Sequence, residues 1–323
     1  MVEEILPNVF RIEVPLPRNP LKALNSYLFK GPERNLIIDT GMNREECRSA
    51  MYAGLAELRV DLSHTDFFIT HLHADHSGLI STLATPTSSV YASEADSRVI
   101  NGSARWGDQA GYAKRSGFPE ELLEAAIGNH PGYRYKSGNV TRFTFMSEGD
   151  TLVIGDYRFT CLETPGHTGG HLCLYEPVKK ILVSGDHVLD DITPNIGLWS
   201  DELNTLKDYL NSLDKVYGLE AELVLPGHRR IFTDLQRRVQ ELKHHHQARA
   251  NEVLTILAKG PDTAYRIASQ MTWDIRAKSW EEFPVSQKWF ATGEAISHLK
   301  YLEEKGAVRR EDANDRIVYS LSG

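Results

Sequence analysis

Six consecutive residues, His71-Leu72-His73-Ala74-Asp75-His76, hold three imidazoles and a carboxylate. No regular strand or helix aims all four side chains the same way. The run suits a loop at the end of a strand, fanned around something that takes nitrogen and oxygen donors. The preceding Asp66-Phe67-Phe68-Ile69-Thr70 is apolar and β-prone, so a buried strand is expected to deliver the loop. Ser77-Gly78-Leu79-Ile80 then reads as the start of a helix. Neutral imidazole and carboxylate are the donors that borderline divalent metals such as zinc select.

The bulk properties permit such a site. A chain of 323 residues suggests one large domain with a smaller one. A hydrophobic content of 41% and a charged content of 25% are those of a soluble globular protein. The net charge of −8 argues against a partner bound through its phosphates. No apolar stretch approaches the roughly 18 residues of a membrane span. The N-terminus has no basic start followed by an apolar run, so no signal peptide is expected and the location reads as cytoplasmic. Cys47, Cys161 and Cys173 show no Cys-x-x-Cys spacing and are expected to be buried, reduced thiols.

Strand patterns recur at 9–14, 25–30 and 35–41, followed by an amphipathic helix over 44–58. From about 93 to 147 the chain turns polar, helix-biased and aromatic, with Trp106, Tyr112, Phe118, Tyr133 and Tyr135. That stretch reads equally as a lid over a pocket or as a packed excursion. Strand character returns over 150–161, 172–175 and 181–184. Strands repeatedly stop at a glycine beside a histidine or aspartate: Asp39-Thr40-Gly41, Pro165-Gly166-His167, Gly185-Asp186-His187 and Pro226-Gly227-His228. Repetition of one geometry along one sheet edge is how an α/β fold gathers distant residues into one site. The donors then divide: His71, His73 and His167 around one metal, Asp75, His76 and His228 around a second, with Asp186 bridging. Two metals about 3.5 Å apart would lower the pKa of a shared water and clamp the attacking and developing oxygens.

These residues resemble the metallo-β-lactamase-fold hydrolase superfamily, whose His-x-His-x-Asp-His signature stands here at 71–76. The strand-end Asp39, His167 after Pro-Gly, Asp186 after Gly and His228 after Pro-Gly follow in the expected order, and the likeness spans roughly residues 8–232. It implies an αββα sandwich, two face-to-face sheets with helices outside. With Asp75 and Asp186 both aspartates the site resembles dinuclear hydrolases such as glyoxalase II; the lactamases proper often carry cysteine at the position of Asp186, so antibiotic hydrolysis is not the expected activity. Asp39 resembles a carboxylate that orients ligands or loop backbone. His171, in similar proteins, makes hydrogen bonds. His187 and Arg229 are candidates for contacting substrate, with Arg230 equally readable as part of a solvated pair. His244-His245-His246 lies in a polar helical run and reads as a solvent-facing or interdomain helix face.

The strand grammar ends near 240, which divides the chain into a catalytic domain, 1–240, and a second domain, 241–323. Helices are expected over 248–258, 264–270 and 286–304, and a hairpin from 307 to 321 with a polar turn at Asp312–Asp315. Helices followed by a hairpin resemble a winged helix. Residues 246–323 carry 11 Lys+Arg and 11 Asp+Glu, net zero, and the would-be recognition helix ends in Glu303-Glu304. A packing, dimerisation or pocket-walling role is expected rather than DNA binding.

The expected activity is metal-assisted hydrolysis of a small-molecule acyl ester or thioester, with two divalent ions, zinc first and iron or manganese acceptable. Asp75 or Asp186 would relay a proton. A phosphodiesterase or ribonuclease of the same fold is the second reading; a DNA-binding metal-sensing regulator is a third.

Overall fold

The computed structural model describes residues 1–103, 106–140, 142–313 and 315–323, so residues 104, 105 and 141 of the expected insertion and 314 of the hairpin turn lie outside it. Among the described residues the strands form three sheets. The first runs β1 (Val2–Leu6), β2 (Val9–Pro15), β3 (Ala23–Lys30), β4 (Asn35–Ile38), β5 (Thr65–Phe68), β6 (Val90–Ala92), β7 (Thr144–Phe145) in that spatial order. Pairing is antiparallel as far as β4 and parallel beyond it. The second comprises β8 (Thr151–Ile154), β9 (Tyr157–Glu163), β10 (Leu172–Glu176), β11 (Ile181–Gly185) and β12 (Leu223–Pro226), in the order β12-β11-β10-β9-β8, with only β11 and β12 parallel. The third is the hairpin of β13 (Val308–Ala313) and β14 (Arg316–Leu321).

The alternation of side chains along each strand decides the layers. Tyr27, Phe29, Ile38 and Phe68 face Phe159, Cys161, Leu174, Val183 and Leu225 across the space between the two large sheets. Their neighbours Leu28, Ile37 and Phe67 point the other way, onto Cys47, Met51 and Leu55 of α1 (Glu45–Glu57). Four short helices follow the site-bearing strands or fill the insertion: α2 (Ala74–Ser77), α3 (Ile80–Leu83), α4 (Glu94–Arg98) and, later, α7 (Pro131–Arg134); between the last two lie α5 (Trp106–Arg115) and α6 (Glu120–Gly128). On the far side Leu162, Cys173, Leu182 and Val224 pack beneath α8 (Thr205–Tyr217) and the first half of α9 (Leu235–Leu257). Helix, sheet, sheet, helix is the αββα arrangement expected from the sequence. All three cysteines are buried and free.

Two expectations change in detail. The helix expected from Ser77 begins at Ala74: the amides of Ser77 and Gly78 bond to the carbonyls of His73 and Ala74, so Asp75 and His76 ride on a helical turn. The boundary expected at 240/241 falls inside α9, a single helix of 23 residues. Its first half (Val239, Leu242) belongs to the sandwich, whereas its second half (Val253, Ile256, Leu257) packs with α10 (Ala264–Gln270), α11 (Val285–Glu304) and the hairpin. The insertion is packed as well. Ala113, Phe118 and Ala126 close on Trp289 of α11, while α7 rests on α2. No helix among the described residues is long and apolar enough to cross a membrane.

At the junction of the two units the rings of His246 and His298 pack together at a tilt, centroids 5.3 Å apart. His298 Nδ1 donates to the Glu294 carbonyl and His246 Nδ1 to His298 Nε2, a pattern that neutral rings satisfy. Burial pushes His298 down to about 4 and His246 well below its ordinary value. The unfolded chain therefore binds more protons below pH 6.5, and the stability present above that pH is lost as pH falls toward about 4. A His298→Asn variant should be less stable at pH 7 but lose less on going to pH 5, its slope shallower by on the order of 1 kcal/mol per pH unit. Denaturant midpoints measured at the two pH values check this; equal slopes would contradict it.

Candidate metal centre

The carboxyl ends of β4, β5, β11 and β12 come together where the two sheets meet. Register aligns Ile38 with Phe68 in one sheet and Gly185 with Pro226 in the other. Asn25 Nδ2 and Tyr27 Oη both donate to the Pro226 carbonyl, tying β3 to the end of β12. The Leu172 amide bonds to the Thr70 carbonyl, tying β5 to the start of β10. Two glycines allow the loops to close. A Cβ on Gly185 (φ +49°) would lie 2.8 Å from His171 Nε2, and one on Gly227 would lie 2.6 Å from Asp186 Oδ1.

Three groups result, each with ligand atoms within 4.8 Å of one another: His71, His73 and His167; His71, His76 and Asp186; Asp75, His76 and His228. His71 Nε2 is 3.0 Å from His73 Nδ1. Asp186 lies 3.6 Å from His167 Nε2 and 3.5 Å from both His76 Nε2 and His228 Nε2. Asp75 Oδ2 is 3.4 Å from His228 Nε2. All seven residues expected to bind metal are thus gathered, and Asp186 stands between the two halves.

Three of the five rings, those of His76, His228 and His167, are aimed by a bond on the side away from the cluster. His76 Nδ1 contacts Asp39 Oδ2 at 2.7 Å, His228 Nδ1 donates to the Ala23 carbonyl at 2.7 Å, and His167 Nδ1 donates to the Asn195 carbonyl at 2.9 Å. Such outer bonds place the proton on the far nitrogen and leave a lone pair inward, the tautomer a metal needs. His167 Nε2 and Asp186 Oδ1 are buried with no hydrogen-bond partner. Unpartnered buried donors and acceptors are costly, so their convergence fits a cation.

The electrostatics agree. Burial, then the neighbouring rings, holds His71 far below its ordinary pKa and His73 at about 3; burial likewise lowers His167. Around the carboxylates the direction reverses. Burial opposes charge on His76 and His228, but Asp186 with Asp39 overcomes it at His76, and Asp186 with Asp75 raises His228 to about 10. Asp186 and Asp75 are held below the carboxylate range despite burial, chiefly by His228 and His76. Buried ionised carboxylates that draw protons onto adjacent imidazoles form a site built for positive charge.

The remaining expected residues lie around this group. Asp39, in the left-handed region (φ 59°), accepts from the Thr70 amide and hydroxyl as well as meeting His76, and so orients both a loop and a ring. His171 meets the Thr164 hydroxyl at 2.8 Å through Nδ1 and accepts the Asp186 amide at Nε2. His187 is fully buried, its ring centroid 5.2 Å from that of Tyr209. Arg229 docks on the Pro20 carbonyl and Arg230 pairs with Asp190. His246 of the histidine tract turns into the interdomain junction.

Two contributors escaped sequence reasoning. Asp96 of α4 is buried and accepts from the Leu72 amide, the Thr168 hydroxyl and the Gly170 amide, pinning the loop of His71 and His73 to the turn of His167. Burial raises it to about 6 against those three donors. Asn195 holds His167 from a loop with no motif. Their partners are 24 to 74 residues away from Asp96, and 28 from Asn195, so no local signal marks them.

A family model described as the metallo-beta-lactamase superfamily matches residues 21–228, and one described as the metallo-beta-lactamase-like C-terminal domain matches residues 250–320. The probable metallo-hydrolase YqjP of Bacillus subtilis (strain 168) is 25% identical over 312 residues, 93% of this chain and 94% of that one. Acyl-coenzyme A thioesterase MBLAC2 of Homo sapiens is 28% identical over 221 residues, 63% of this chain and 72% of that one. The crystal structure of a metallo-beta-lactamase family protein from Thermus thermophilus superposes with a TM-score of 0.83 at 30% identity, covering 98% of this chain and 100% of that one.

Replacing His71 and His73 together by Ala should remove the metal held by the three-histidine group and abolish hydrolysis with it; elemental analysis beside an activity assay tests this, and undiminished metal and turnover would refute the assignment. Asp96→Ala should weaken metal binding by about 10–100-fold while leaving every ligand in place, as read by competition with a chromogenic chelator.

Proposed function

Because the chain belongs to the metallo-beta-lactamase superfamily and is a metal-dependent hydrolase, we propose that it cleaves acyl thioesters or acyl esters of small molecules with a pair of divalent ions held by His71, His73 and His167 and by Asp75, His76 and His228, with Asp186 shared. The observation that carries the reading is the aspartate at 186, buried between His167, His76 and His228. A shared carboxylate suits two hard or borderline ions, zinc first and iron or manganese after it. When bound, such ions would lower the pKa of a water between them and polarise the acyl oxygen. Asp75 or Asp186 takes the proton that the water gives up as it adds to the acyl carbon. That proton passes to the departing sulfur or oxygen as its bond to the carbon breaks.

The surroundings favour an acyl group over a phosphodiester. His130 caps α7, which rests on α2, the turn that carries Asp75 and His76. Its ring packs between Trp106 and Phe290, centroids 5.0 and 5.2 Å away, with Tyr133 beyond Trp106. Burial pushes His130 down to about 4, so at neutral pH it brings no positive charge for a phosphate. This aromatic cluster, joined through α7 to the turn of Asp75 and His76, suits an acyl chain. The thioesterase named among the relatives points the same way. A DNA-reading role finds little support: every residue of α11 from Ala291 to Leu299 is buried, which leaves that stretch no face for a groove.

Metal-loaded protein offered acyl thioesters, chromogenic oxyesters and bis(p-nitrophenyl) phosphate should turn over the first two; hydrolysis of the phosphodiester alone overturns the proposal. Phe290→Ala should lower kcat/KM for long acyl chains about tenfold, the loss expected for one or two buried methylenes, and leave acetyl substrates unchanged.

A further inference from the structure

The loop between β11 and α8 reaches the C-terminal helices and is gripped there. The Leu198 amide bonds to the Gly293 carbonyl, Ser297 Oγ donates to the Ile196 carbonyl at 2.6 Å, and Trp199 stacks on Trp289 with centroids 4.1 Å apart. At the head of this loop Asn195 does two things at once. Its backbone carbonyl accepts from His167 Nδ1 at 2.9 Å, and its side-chain Nδ2 donates to Glu294 Oε2, also at 2.9 Å. Glu294 is a buried carboxylate whose other oxygen lies 3.7 Å from Arg249 Nε. Arg249 is itself pinned by Glu252 at 2.7 Å, by the Thr272 carbonyl at 2.6 Å and by the Trp273 ring, 4.1 Å below its guanidinium. Two hydrogen bonds thus run from Glu294 to His167.

We propose that Glu294 is a positioning residue for the three-histidine group: from the C-terminal helices it anchors the Asn195 side chain, so that the Asn195 carbonyl keeps the His167 proton on Nδ1 and its Nε2 lone pair toward His71 and His73. The inference rests on the metal centre described above and assigns the C-terminal unit a part in it. A buried carboxylate is costly unless its bonds are kept. Holding the loop is what keeps them, and burial accordingly raises the Glu294 pKa against Arg249 and Asn195. Glu294 makes no contact with substrate in this role and acts through His167 alone.

Titration of Co2+ into metal-free protein, followed by visible absorption and by competition with a chromogenic chelator, tests it without an activity assay. Wild-type protein should take up roughly two equivalents; failure of that control would count against the metal centre, not against the Glu294 anchor. Glu294→Ala and Asn195→Ala should each weaken one equivalent by about 10–100-fold. That equivalent should be the one lost when His71 and His73 are both replaced by Ala. Glu294→Gln, whose amide oxygen can still accept from Asn195, should fall between wild type and Glu294→Ala. Val253→Ala, a core truncation of the C-terminal unit at a residue whose side chain hydrogen-bonds neither the loop nor Glu294, should lower Tm yet leave both equivalents intact. Wild-type affinity for both equivalents in Glu294→Ala, or an equal loss in Val253→Ala, overturns the proposal.

Discussion

Two carboxylates, Asp75 and Asp186, are buried among five imidazoles, and the molecule is organised around keeping them there. An isolated carboxylate out of water is heavily penalised, and only close opposite charge or hydrogen bonding offsets the penalty. Here the offset comes from rings supplied by strand ends of two different sheets: His76 from one, His228 from the other. The αββα layering is what makes that meeting possible, because the alternating faces of β3, β4 and β5 seal one sheet onto the other while the carboxyl ends of β4 and β5 reach the edge where the site lies. The cluster carries excess negative charge in a dry place, which protons fill in the metal-free chain and metal ions would fill in the working one.

A second tier of polar residues holds the first in place. Asp39 serves the loop after β5, Asp96 joins that loop to the His167 turn, and Asn195 takes the far nitrogen of His167. These anchors come from three different regions: the first sheet, the insertion and the loop gripped by the C-terminal helices. The insertion and the C-terminal unit therefore act on the metal centre through hydrogen bonds, and they also form one packed body in which Phe118 and Ala126 close on Trp289. Of the two readings of this segment the structure shows the packed one, since Ala113 of α5 and Ala126 of α6 close on Trp289 of α11.

The parts of the fold that read correctly from sequence are those with a strong local period. The helix expected over 44–58 is α1, that over 286–304 is α11 and that over 264–270 is α10, each within a residue or so. Strand ends were legible because glycine beside a polar ligand interrupts an apolar run. The start of α2 was misplaced, since a metal-binding run looks like a loop and its first helical turn is set by two backbone bonds to residues 73 and 74. The junction between the two units leaves no break in the chain because α9 runs through it, with Arg237, Glu241 and Lys243 on its outer side, while its buried face passes from one core to the other.

The sequence by itself determined the chemistry: which donors there are, and that an aspartate rather than a cysteine stands at position 186. These follow from residue type and from strand punctuation, both local properties. Tertiary structure alone decided which nitrogen of each histidine faces inward, that His187 is buried against Tyr209, and that Asp96, Asn195 and Glu294 belong to the centre. Those facts depend on which backbone carbonyl or carboxylate lies within about 3 Å of a ring, and contacts across 24 to 99 residues leave no trace in neighbouring sequence.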